Sequence, residues 1–131
     1  VLNGGTVPLF TVGVGMVAVH AIVGIVSGAA VDATASNTKY SANPTVGTAN
    51  DLCATADMAS KEIGTMISPT GLAAVAMQAG SGAVPTLANP LCVNVGTIDI
   101  VSSAAAGTGG AVVAFTIYYT PIDTGATVVT T

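Results

Sequence analysis

Apolar and polar positions alternate with a period of two along much of this chain. They do so in short runs closed by Gly, Pro, Asn or Asp, and no stretch carries a sustained 3.6-residue period. The last third is clearest. Residues 97–102 put Ile98 and Ile100 on one face and Asp99 on the other. Residues 112–120 put Val113, Phe115, Ile117 and Tyr119 on one face, with Ala114, Thr116 and Tyr118 opposite. Near the N-terminus, strands are expected at 9–14, after Pro8, and at 16–27. The second of these is apolar on both faces, with Met16, Ala18, His20 and Ile22 against Val17, Val19, Ala21 and Val23. Such a strand belongs inside a sandwich or beneath a neighbouring subunit. Gly24 is expected to mark a bulge or bend within it, and 30–35 to extend it or begin another strand.

The middle of the chain is more polar. Residues 36–50 read as a loop, because Asn37, Asn43-Pro44 and Gly47 are turn formers. A short strand is expected at 51–56, followed by a solvent-facing turn at 57–62 that carries Asp57, Lys61 and Glu62. Pro69-Thr70-Gly71 reads as a hairpin connection between strands at 64–68 and 72–78. Residues 79–90 form a Gly/Pro-rich exposed loop and 104–110 a small-residue turn, and 127–130 is a final strand after Gly125. No internal repeat is visible. Roughly eight short strands separated by turns predict an all-β fold, an antiparallel β-sandwich of jelly-roll-like character. A single domain over 1–131 is expected, with residues 1–8 as an extended arm.

Composition changes this picture in one respect. The 131 residues include 16 Gly, 2 Phe, 3 Tyr and no Trp, and only eight are charged: six acids and two lysines, for a net charge of −4. A folded monomer of this mass exposes on the order of 6,200 Å², so each charge would serve about 780 Å². Ordinary domains carry roughly four times as many charges. A surface this bland self-associates unless neighbours cover it, so the chain reads as an assembly component. Lys39 and Lys61 alone cannot neutralise a phosphate backbone, which excludes direct nucleic-acid binding. The apolar content of 51% excludes disorder, and the missing heptads exclude a coiled coil.

Residues 9–30 contain no charge and are long enough to cross a bilayer as a helix. This gives a rival reading: a pilin-like or membrane-anchored structural subunit. Against it stand eight valines and isoleucines, all β-branched, and Gly13, Gly15, Gly24 and Gly28, which suit strands and turns. No basic residue flanks the segment before Lys39, and without a basic start it is a poor secretory signal.

Candidate chemistry is sparse. Cys53 and Cys92 are 39 positions apart with no CxxC motif, which leaves buried thiols or a disulfide; a zinc site needs more ligands at tighter spacing. His20 is the only imidazole and sits mid-strand in an apolar run, as a structural or interface histidine does. A small hydrolase built on His20 is a third reading, but no nucleophile-elbow glycines flank any serine. Gly13-Val14-Gly15 and Gly107-Thr108-Gly109-Gly110 precede neither a helix nor a Lys-Ser/Thr pair, so they are not phosphate cradles. Tyr118-Tyr119 lacks the basic partners of a stacking platform. No catalytic, cofactor-binding or metal-binding residue is nominated, and the chain is expected not to be an enzyme.

Several segments resemble small structural proteins of tailed bacteriophages. They are Pro8-Leu9-Phe10-Thr11-Val12, then Ile22-Val23-Gly24-Ile25-Val26, and in the middle Asn43-Pro44-Thr45, Asp51-Leu52-Cys53 and Gly64-Thr65. Gly96-Thr97-Ile98 follows, then the run from Phe115 to Tyr119 and the tail Thr120-Pro121-Ile122-Asp123-Thr124-Gly125-Ala126. The family resembled is the capsid decoration, or cement, proteins. The resemblance implies a β-rich virion protein, commonly a homotrimer, on the outer surface of the icosahedral head and assembled in the host cytoplasm. Its partners would be copies of itself and the major capsid protein. Another capsid or tail structural protein is the neighbouring alternative. If the family reading holds, the uncharged 9–30 segment should lie in a subunit interface.

Overall fold

The computed structural model describes residues 3–105 and 110–131. They form an all-β antiparallel sandwich, and no described segment is helical. One sheet is built on three long strands, β1 (Asn3–Gly13), β11 (Gly96–Ala105) and β3 (Asn37–Pro44), with β11 in the centre. The short β13 (Thr127–Thr130) flanks β1, while β4 (Asn50–Asp51) and β6 (Ala56–Asp57) flank β3. The second sheet is built on β2 (Val17–Ser27). On one side β2 pairs along its length with β12 (Val112–Pro121); β10 (Leu91–Val93) and β7 (Met66–Ser68) also pair with it, and β9 (Gln78–Gly80) extends β7. The remaining pair, β5 (Cys53–Ala54) and β8 (Leu72–Ala76), is parallel.

The core follows from the period-two pattern. Phe10 and Val12 of β1, Ile98 and Ile100 of β11, and Tyr40 of β3 project from the first sheet. Val17, Val19, Ile22 and Val26 of β2 and Ile67 of β7 meet them from the second. The face assignment predicted for 112–120 holds: Ala114, Thr116 and Tyr118 are exposed, whereas Val113 is buried and Phe115, Ile117 and Tyr119 pack on the core.

Four expectations are corrected. The bulge in β2 lies at His20 and not at Gly24: Tyr119 pairs with Val19 and Tyr118 with Ala21, which leaves His20 as the extra residue. The extra residue shifts the alternation by one, so Ile22 joins Val17 and Val19 on the inner face instead of Ala18 and His20. Gly24 sits in regular register, opposite Phe115 on one strand and Ile67 on the other. A Cβ there would lie 2.7 Å from the Phe115 ring and 2.8 Å from Ile67 Cγ1, so glycine is required by packing.

The second correction concerns 36–50, which is not a loop: residues 37–44 are β3, paired with β11 over seven positions. Its turn-forming residues lie towards the ends, and its centre alternates Thr38, Tyr40 and Ala42 against Lys39, Ser41 and Asn43. Third, the strands either side of Pro69-Thr70-Gly71 do not form a hairpin, because β7 pairs with β2 and β9 while β8 pairs with β5. Fourth, residues 30–36 carry no strand; the strands expected at 9–14 and 16–27 are the end of β1 and β2, in place of the rival helix. No helix among the described residues is long and apolar enough to cross a membrane. Of the N-terminal segment, residues 3–8 run within β1, paired with β11 as far as Pro8↔Asp99.

Two contacts lock this arrangement. Tyr40, fully buried, reaches from one sheet into the other: its ring meets Phe115 edge-on at 6.1 Å and its hydroxyl donates to the Ile67 carbonyl at 3.2 Å. Burial, with Cys53 beside it, pushes its phenol far above the ordinary range. At one end of the sandwich, the Met16 N–H donates to Asp123 Oδ2 at 2.7 Å, and the Ile122 and Asp123 N–H groups donate to the Met16 carbonyl. Gly15, at φ +125°, is needed there, since a Cβ would come within 2.9 Å of that carboxylate.

Gly24→Ala should lower unfolding free energy by about 1–3 kcal/mol through overpacking. Tyr40→Phe should lower it by about 1 kcal/mol by withdrawing a buried hydrogen bond. Urea titration followed by circular dichroism measures both, and two neutral variants would contradict this account of the core.

Candidate interaction surface

The chemistry-bearing residues do not converge. His20, exposed at its bulge, places Nε2 2.8 Å from Thr120 Oγ1. It lines an open cleft of about 500 Å³ with Ala21, Val23 and Tyr118 on the floor and Thr86, Leu87 and Pro90 of the 81–90 loop alongside. No carboxylate and no thiol lines this cleft, so the imidazole has no acid to orient it. Among the described residues no three His, Cys, Asp or Glu side chains come together as a metal-binding group.

Cys53 and Cys92 are both free thiols. Cys53 is buried, takes a hydrogen bond from the Tyr40 N–H at 3.4 Å, and has its pKa pushed up chiefly by that burial. Cys92, also expected to be buried, is exposed on the short strand β10, where it borders a second cleft of about 280 Å³ with Asn43, Asn50, Leu52 and Asn94. Gly13-Val14-Gly15 is the β1–β2 turn, with Val14 at φ 57°. Gly107, Thr108 and Gly109 lie outside the described residues. Tyr118 and Tyr119 point to opposite faces of β12 and cannot form one platform.

The arrangement of charge is the informative feature. Six of the eight charged residues fall between Asp32 and Glu62. Lys39 and Asp51 form an ion pair at 2.6 Å across β3 and β4. Asp57 accepts from the Ala59 and Ser36 N–H groups, and these bonds hold its pKa below the usual carboxylate value. Asp32 accepts from the Thr34 N–H. Beyond residue 62 the only charges are Asp123, bonded to the β1–β2 turn, and Asp99. Asp99 is 3% exposed in the middle of β11, and its Oδ1 has no hydrogen-bond partner among the described residues. Sequence alternation put Asp99 on the face opposite Ile98 and Ile100, but could not show how deeply it lies.

The strands of the second sheet therefore carry no charged residue of their own. Ile25, Val112 and Tyr118 are exposed there, Tyr118 by 60%, in rows defined by Ala114↔Ile25, Thr116↔Val23 and Tyr118↔Ala21. Those rows run to β12, which pairs with β2 and with no other strand among the described residues. Alternation identified the two faces of β12. Nothing in the sequence marked it as an edge, because edge position depends on partners distant in the chain.

If Cys53 is held in the core and Cys92 is free, a thiol reagent should label one cysteine per native chain and two after denaturation. Two rapid labels, or none, in the native protein would contradict the placement. Compared with protein-family models, with curated proteins and with solved structures, the chain matches none.

Proposed function

We propose that this chain is a non-enzymatic structural virion protein, a decoration subunit that binds the outer surface of a tailed-phage head and holds its capsomers together. The observation that carries the reading is the second sheet, whose strands carry no charge and which ends in β12, paired with β2 alone among the described residues. The molecule exposes 6165 Å², and the charges on it belong chiefly to one stretch, residues 32–62. A freely diffusing protein is kept apart from its copies by charge spread over its surface. The strands of the second sheet lack that protection, which suits a subunit that sets this sheet against neighbours. The segment resemblance supplies the neighbours: further copies of the chain and the major capsid protein.

The energetics suit the role. A protein that binds the assembled shell, and not its dissociated parts, stabilises the shell by mass action. Several weak contacts from linked copies add through effective concentration, so no single patch has to be strong. The His20 cleft needs no catalytic role here, since its lining offers shape and apolar contact.

An image reconstruction of the native head should show density for a 12.6 kDa β-sandwich on the outer surface, between capsomers. Heads stripped of the chain should release their contents at a lower temperature and recover when it is added back. Heads that never contain the chain, or whose stability ignores it, would contradict the proposal.

A further inference from the structure

We propose that β12 is a subunit-pairing strand: two copies of this chain join antiparallel along their β12 edges, making one continuous sheet across a two-fold axis. The inference deepens the structural-subunit reading and rests on it only in taking the assembled chain as the working form. It starts from backbone chemistry. β12 is ten residues long and, among the described residues, is hydrogen-bonded as a strand on one side only, to β2. In an antiparallel strand alternate residues direct N–H and C=O to opposite sides, so about half of those groups point away from β2. Another extended strand is what satisfies such a row in full.

Charge decides which strand. Natural edges are protected by lysines, inward charges, bulges or proline. The far edge of the first sheet fits that rule, since β4 carries Asp51, ion-paired with Lys39 of β3, and β6 carries Asp57. β12 reads Val-Val-Ala-Phe-Thr-Ile-Tyr-Tyr-Thr-Pro, with no charge and its only proline at the last position. It repels nothing neutral, and it offers no salt bridge to a charged partner. A segment of matching length that is uncharged and already extended is present in every second copy of the chain: β12 itself.

Self-pairing also satisfies the pleat. Residues opposite one another must lie on the same face, so the two-fold axis passes through a residue and not between two. An axis through Thr116 sets Tyr118 opposite Ala114 on the outer face and Phe115 opposite Ile117 on the inner. Full overlap forms about ten interchain hydrogen bonds, the number found in an ordinary stable interface. The exposed rows carrying Ile25, Val23 and Tyr118 then continue across the junction as one apolar surface. A three-fold ring, which the phage resemblance implies, would need β12 to meet a different edge of the next copy. The charge-free edge strand on the first sheet, β13, has four residues against ten.

Sedimentation velocity of the purified chain, with hydrogen exchange of residues 112–121, tests the pairing. The expected result is a dimer of twice 12.6 kDa in which amides on both edges of β12 are protected. Thr116→Lys brings like charges together at the axis and should weaken dimerisation by about tenfold or more. Its circular dichroism should match wild type, because Thr116 is exposed. Thr130→Lys, on exposed β13, is the companion variant and should remain dimeric. A monomeric wild type, a trimer, a folded Thr116→Lys protein with wild-type mass, or protection on the β2 side alone would each overturn the proposal. Head binding is scored separately: a dimer that ignores heads refutes the virion reading and leaves the strand pairing intact.

Discussion

The packing of Tyr40 between the sheets holds the sandwich in register. A phenol with no exposure must find an acceptor for its hydroxyl, and it finds one on the opposite sheet, at the Ile67 carbonyl. Its ring stands edge-on to Phe115, and Phe115 in turn lies over the one position in β2 with no side chain, Gly24. These residues come from β3, β7, β12 and β2, so a single cluster fixes the spacing and relative rotation of both sheets. With that fixed, β12 has its inner face on the core and one edge on β2, and no other strand among the described residues pairs with its second edge.

The distribution of charge then acquires a structural meaning. The bland composition applies to the whole chain, but the charges that exist are concentrated on one stretch and largely committed to local bonds. They cap turns and guard the β4 and β6 edge. The strands of the second sheet, by contrast, carry no charge of their own. Weak local electrostatics and strong apolar packing are compatible with stability in a domain that works next to neighbours, where burial supplies what surface charge would otherwise supply.

Much of this was legible in the chain. The all-β class and the face assignment of 112–120 follow from short runs of period-two alternation, and the last strand from a β-prone run after Gly125. What the sequence concealed has physical reasons. Turn formers at both ends of 37–44 masked a strand whose Tyr40 is the most consequential core residue, although Thr38, Tyr40 and Ala42 alternate with polar partners. The bulge at His20 cannot be seen in a uniformly apolar run, because every register there looks equally hydrophobic. Pro69-Thr70-Gly71 reads as a hairpin by local chemistry, yet tertiary pairing sends its flanking strands to different sheets. The candidate surface was visible only as a global deficit of charge; its location required the fold.

In the proposed assembly, neighbours cover the outer face of the second sheet and leave residues 32–62 open. Hydroxyl-radical footprinting of the native assembly against dissociated chain tests this most directly. Tyr118 and Ile25 should lose most of their reactivity on assembly, while Val46, exposed by 87% within the charged stretch, should keep it. Equal reactivity of Tyr118 and Ile25 in the two states, or protection confined to the region of Val46, would contradict it.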